Sequence, residues 1–153
     1  MRRWMVVTGL AALALWGVAG CGKNSGDGTG PSDDTSSGSM FDAGPRAGEA
    51  PADEVQADVG EKLFKSKTCS TCHGFGVRIT GPDLVGVTER RTAAWMEQQM
   101  LHPDVMTKED PIAHELLGKY AVQMPNLMLK PEEAKALIEF LKHKDQERKQ
   151  THP

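Results

Sequence analysis

Apolar positions along the 153-residue chain fall into three regimes. Residues 1–20 are almost continuously apolar behind Arg2 and Arg3, and residues 22–52 are mostly Gly, Ser, Asp, Pro and Ala. From about Asp53 onward, apolar residues recur at regular intervals. Val55, Val59, Leu63 and Phe64 form an i, i+4, i+8 stripe, which predicts an amphipathic helix over Asp53–Lys67. Thr92 to about Leu101 reads as a middle helix, with Trp95 and Met96 near its start. Asp110–Pro111 opens another that runs to about Tyr120, with Leu116 and Leu117 facing inward. Pro131, Glu132 and Glu133 begin the last helix, since proline suits the first position and acids complement the positive end. Leu137, Ile138, Phe140 and Leu141 give it a broad apolar face, while Lys130 stands where a capping Ser, Thr or Asp is expected. No segment alternates with period two over strand length. The folded part, 53–150, is predicted to be mostly α with long loops.

The front of the chain has a different logic. Arg2 and Arg3, the apolar run Trp4–Ala19 and the small residues before Cys21 have the layout of a signal peptide over 1–20. The run is short for a membrane span and lacks a charged far flank. "VAGC", Val18–Cys21, resembles a bacterial lipobox, in which Cys21 is lipidated and becomes the new N-terminus. Ordinary cleavage near Gly20 is the plainer alternative. Lipidation is preferred because it removes a lone thiol from an oxidising compartment. Residues 21–52 are then the lipidated cysteine and a flexible linker, too poor in apolar side chains to offset their ordering entropy. As a free chain, residues 22–52 would reach roughly 30 Å. The expected location is the periplasmic side of a membrane, reached by export and held by the lipid.

Charge adds a constraint on partners. The formal charge is −3, and removing residues 1–20 takes away Arg2 and Arg3 but no acid, leaving −5. Such a domain gives no reason to expect nucleic-acid binding and would be steered toward a basic protein surface.

The chemistry concentrates in "KTCSTCHGFG", Lys67–Gly76. The three cysteines are Cys21, Cys69 and Cys72, so no second pair completes a zinc site, and His102 and His114 are too far apart to substitute. A thioredoxin-type motif needs a strand before the pair, whereas a helix is predicted there. The remaining reading of C-x-x-C-H is covalent haem attachment, with two thioethers from Cys69 and Cys72 and iron bound by His73. One turn of chain sets both sulfurs along one porphyrin edge and brings the imidazole under the metal.

Four segments in order make the chain from Gly60 to about Leu141 similar to class I cytochromes c: Gly60–His73, Gly81–Arg91, Gln123–Leu127 and Pro131–Leu141. The resemblance implies a mostly α, cytochrome c-like fold wrapped around one covalently bound haem c. It implies that the first and last helices cross at Gly60, and that the Pro82 carbonyl accepts a hydrogen bond from His73. Leu84 is expected at the haem edge, Arg90 near the propionates, and Trp95 either beside them or in the core. Met124, followed by proline in a loop, matches the family's sixth iron ligand, with Met128 and Met106 (in the loop "HPDVMTKED") as rivals. Met96 and Met100 are expected as core or surface residues, and the spare histidines as exposed. Tyr120 is expected to hydrogen-bond near the Met124 loop or simply to pack.

Filling both axial positions leaves one-electron exchange as the function, not catalysis. The resemblance therefore implies a membrane-tethered electron carrier with transient protein redox partners as donor and acceptor. The alternatives are a haem enzyme or small-ligand sensor with an open sixth position, and a thiol oxidoreductase.

Overall fold

The computed structural model describes residues 38–151. Residues 1–20, expected to be a signal peptide, and Cys21 lie outside the described residues. Six helices follow in order: α1 (Glu54–Ser66), α2 (Val87–Arg90), α3 (Ala93–Leu101), α4 (Pro103–Glu109), α5 (Pro111–Tyr120) and α6 (Pro131–Thr151). Among the described residues no strand forms, only an isolated antiparallel bridge between His73 and Arg78. The mostly α architecture is as the sequence predicts.

Helix α1 starts at Asp53, whose carboxylate accepts the Val55 and Gln56 N–H groups. Its buried face matches the predicted stripe only at its C-terminal end, at Leu63 and Phe64. Val55 and Val59 are 73% and 43% exposed, whereas Ala57, Gly60 and Phe64 are buried. Small residues win that face because α6 crosses there at backbone contact, with Gly60 against Ala136. Phe64 then stacks with Phe75 and Phe140 at centroid separations of 5.7 and 5.3 Å.

Helix α6 buries Leu137, Ile138, Phe140 and Leu141, as its pattern predicts. Its weak start is repaired from within: the Glu133 carboxylate accepts the Lys130 N–H at 2.8 Å, as the acid of a capping box does. Further along, Asp145 turns into the protein and accepts from Gly86 N, Thr88 N and Thr88 Oγ. That carboxylate pins α2 to α6.

A second core cluster joins Trp95 and Met96 of α3, Met106 of α4, Ile112 and Ala113 of α5, and Ile138 of α6. Helix α4 corrects the sequence reading, which had a loop around Met106. Pro103 occupies the first helical position and Asp104 the first turn, both favourable to a helix start.

The linker boundary also moves. Residues 38–52, expected to be part of a flexible linker, are packed on the helical domain. Asp42 is 5% exposed; it accepts the Thr92 N–H at 2.8 Å and pairs with Arg46 and Arg91. The Phe41 carbonyl accepts from Thr92 Oγ, and Ala47 enters the second core cluster. Composition alone misses this strap because a buried carboxylate and backbone hydrogen bonds hold it, with few apolar side chains taking part.

Candidate functional site

Helix α1 closes with the Lys67 N–H on the Leu63 carbonyl, and Thr68 then turns left-handed (φ 62). This reversal throws the chain into a single 3-10 turn at Cys69–Thr71. The His73 N–H bonds back to the Cys69 carbonyl at 2.9 Å, so Cys69, Cys72 and His73 project from about one turn. His73 Nδ1–H donates to the Pro82 carbonyl at 2.9 Å, as expected. With Nδ1 so occupied, Nε2 keeps its lone pair for a metal.

The loop that carries Pro82 is tightly braced. Gly81 N–H bonds to the Cys72 carbonyl and Leu84 N–H to the Gly74 carbonyl. Asp83 accepts the Gly76 and Val85 N–H groups with one oxygen. Gly81 itself lies flat on the imidazole: a β-carbon there would stand 2.8 Å from His73 Cε1. Only glycine lets the Pro82 carbonyl reach the ring.

His73, Cys69, Pro82 and Leu84 line a cleft of about 1180 Å³, its open mouth included. Every helix contributes to the rest of the lining, chiefly α3 and α5, together with the segment 121–130, which carries Met124. The walls are mainly apolar, with an imidazole, a thiol and thioethers among them. This combination fits a large flat macrocycle holding a metal, and Gly81 shows the imidazole orientation to be built into the backbone. Burial pushes the Cys69 thiol up from its usual range, desolvation being the largest cause. A nucleophilic or redox-active cysteine needs the opposite shift.

Met124 is half-buried on the cleft wall. Its two rivals are placed elsewhere: Met106 is 2% exposed inside the second core cluster, and Met128 is 81% exposed. Met96 and Met100, expected to be core or surface, do reach the cleft from α3 while packing in the core. Arg90 lines the cleft and donates to the Val85 carbonyl at 2.7 Å. Trp95 also lines it, but its indole N–H is spent on Asp110 at 3.0 Å, so only ring carbon faces the cavity. Of the histidines outside the motif, His102 and His114 are exposed and His143 pairs with Glu54 at 2.7 Å. Among the described residues Tyr120 makes no hydrogen bond to the Met124 segment, but it does line the cleft.

Arg91 was not singled out from sequence, yet it lines the cleft, lies 5.3 Å over the Trp95 ring and pairs with Asp42. The doubled arginine at 90–91 was the available signal. Asp145 had none, since it sits in a run of charged residues that reads as solvated.

The cytochrome c sequence profile matches residues 57–145, well over half the chain, and the chain belongs to the cytochrome c family. Its cofactor is therefore one covalently bound haem c, and its activity haem-based electron transfer. Among solved structures, cytochrome c from Rhodothermus marinus is 30% identical with a TM-score of 0.61, over 67% of this chain and 96% of that one. An engineered cytochrome c from the same organism is also 30% identical, with a TM-score of 0.59 over 66% and 96%. A third structure, TM-score 0.57 at 30% identity over 66% and 96%, is an engineered form bound to a carbene intermediate. No curated protein matches the chain by sequence.

Proposed function

We propose that Cys69 and Cys72 hold the haem through thioethers, that His73 and Met124 are its axial ligands, and that the protein is a membrane-tethered electron carrier. Haem c supplies one-electron exchange at its iron. The observation that carries this reading is that His73 and Met124 line one cleft while Met106 and Met128 do not. Met96 and Met100 are fixed in a helix by core packing, whereas Met124 lies in an irregular segment ahead of Pro125 and is free to adapt to a metal.

His73 is held by the Pro82 carbonyl, which sets its ring plane and raises its basicity. Met124 brings a thioether, a weak donor to ferric iron, and so favours the reduced state. Leu84 and the Trp95 ring exclude water, and Arg90 is the cation for the propionates. With both axial positions taken by protein side chains, no site is left for a substrate. The protein then acts as a carrier and not as an enzyme.

The lipid at Cys21 is the proposed anchor, and because 38–52 belong to the domain, any tether is confined to residues 22–37. Among the described residues no helix is long and apolar enough to cross a membrane. Partner contacts should be small and short-lived, with the anchor raising local concentration at the membrane.

Visible spectra of the oxidised and reduced holoprotein, the latter under carbon monoxide at neutral pH, test the proposal. Absent or very slow binding is expected. Rapid, complete binding would instead establish an open sixth position, as in a haem enzyme or sensor. A colourless protein with two titratable thiols would return the question to thiol chemistry.

A further inference from the structure

Two of the stretches that line the cleft, His73–Leu84 and Leu116–Leu129, are far apart in the chain. Among the described residues, no hydrogen bond or ion pair joins residues 73–84 to residues 116–130. A cation–π contact spans them. The Arg78 guanidinium lies over the Tyr120 ring, 4.6 Å from its centroid. Arg78 is tied to His73 by the antiparallel bridge, and Tyr120 is the last residue of α5.

Tyr120 is also the root of the Met124 segment. Ala121 follows it in the left-handed region at φ 55, and Met128 repeats that conformation at φ 52. Between them the chain is lightly held. Asn126 Nδ2 donates to the Leu101 carbonyl at 3.4 Å, and Met128 N–H donates to Asn126 Oδ1 at 2.9 Å. Two non-glycine residues in a disfavoured conformation and few hydrogen bonds mark a segment that opens easily.

We propose that Arg78 and Tyr120 form a clasp across the cleft that sets how often Met124 withdraws and lets an external ligand reach the iron. The inference rests on Met124 as axial ligand. An exposed guanidinium over a half-buried aromatic ring holds the two walls without fixing their register, because the ring face tolerates sliding. Its strength at an exposed site corresponds to about a two- to five-fold change in the open fraction. Ligand binding that requires the open form scales with that fraction. Lys119, 5.9 Å from the same ring, lies on Tyr120's own helix and cannot bridge the walls.

Imidazole binding to the oxidised holoprotein, followed by absorbance at about pH 8 where the probe is neutral, provides the test. Arg78→Leu and Tyr120→Leu should each bind imidazole about two- to five-fold more tightly than wild type. Tyr120→Phe, which keeps the ring, should match wild type, and the double leucine variant should not exceed the singles. Wild-type affinity in Arg78→Leu, or additive gains in the double variant, overturns the clasp. Arg78 is exposed, so its variants fold independently of the outcome; circular dichroism checks this, and Arg78→Lys should retain part of the effect. Equal affinity in wild type and Met124→Ala overturns the ligand assignment itself, and the clasp with it.

Discussion

Gly60 of α1 faces the Ala136 carbonyl of α6 so closely that a β-carbon on residue 60 would stand 2.1 Å from that oxygen. The same atom would be 2.7 Å from Phe140 Cβ, so neither neighbour has a flexible end that can swing away. The crossing that supports the Phe64, Phe75 and Phe140 cluster depends on this one missing methyl group. Gly60→Ala is expected to force the helices apart and cost about 3 kcal/mol or more. Denaturant unfolding of the holoprotein measures it, and an unchanged midpoint would show that the crossing is softer than its geometry.

Asp145 links α6 to the first turn of α2. Its carboxylate, on a residue only 3% exposed, satisfies the Gly86 and Thr88 N–H groups and the Thr88 hydroxyl. Asp145→Ala strands three donors in the interior and should cost about 3 kcal/mol. Asp145→Asn keeps one acceptor but turns an amide toward donors, so it should recover only part of the loss. Thermal unfolding of the two variants reads the difference.

Asp145 also shows where sequence reasoning stops. The motif Cys69–His73 was legible because haem attachment calls for fixed residue types at fixed spacing, whereas the Pro82 partner came only with the resemblance to class I cytochromes c. The α6 face was legible because its apolar residues recur with helical period. The α1 face was not: contact between backbones selects Ala57 and Gly60, which carry little hydrophobic signal, and leaves Val55 and Val59 outside. Helix α4 was hidden by its length, since seven residues hardly show a period. The strap was hidden by composition, because a hydrogen-bonded carboxylate such as Asp42 holds a polar segment without any apolar pattern.

That strap yields a third expectation. Asp42 caps the start of α3 through the Thr92 N–H and holds Arg91, which in turn covers Trp95 on the cleft wall. Asp42→Ala, or a chain beginning at Asp53, should lose about 2 kcal/mol of stability, because a buried N–H and a guanidinium lose their partner. A melting temperature equal to that of the full chain would show that the strap is only laid against the domain.

The anchor is tested at one atom. Cys21→Ser removes the sulfur that would carry the lipid while leaving the apolar run intact. The variant should shift from the membrane to the soluble fraction after export. Unchanged membrane retention would mean that something other than Cys21 holds the protein there.

Two methionines separate coordination from packing. Met106 is enclosed by the second core cluster and does not line the cleft. Met106→Ala leaves a cavity there and should cost about 2–5 kcal/mol. It should leave the visible spectrum and reduction potential where they were. Met124 sits in a segment with little core packing, so Met124→Ala should cost less stability. Its effect should appear in the cofactor: losing the thioether removes the preference for the reduced state, lowers the potential and lets the ferrous protein take up carbon monoxide. Redox titration and unfolding of the same two variants therefore move in opposite patterns. The reverse pattern would make Met106 the ligand and would require α4 to be rebuilt around the iron.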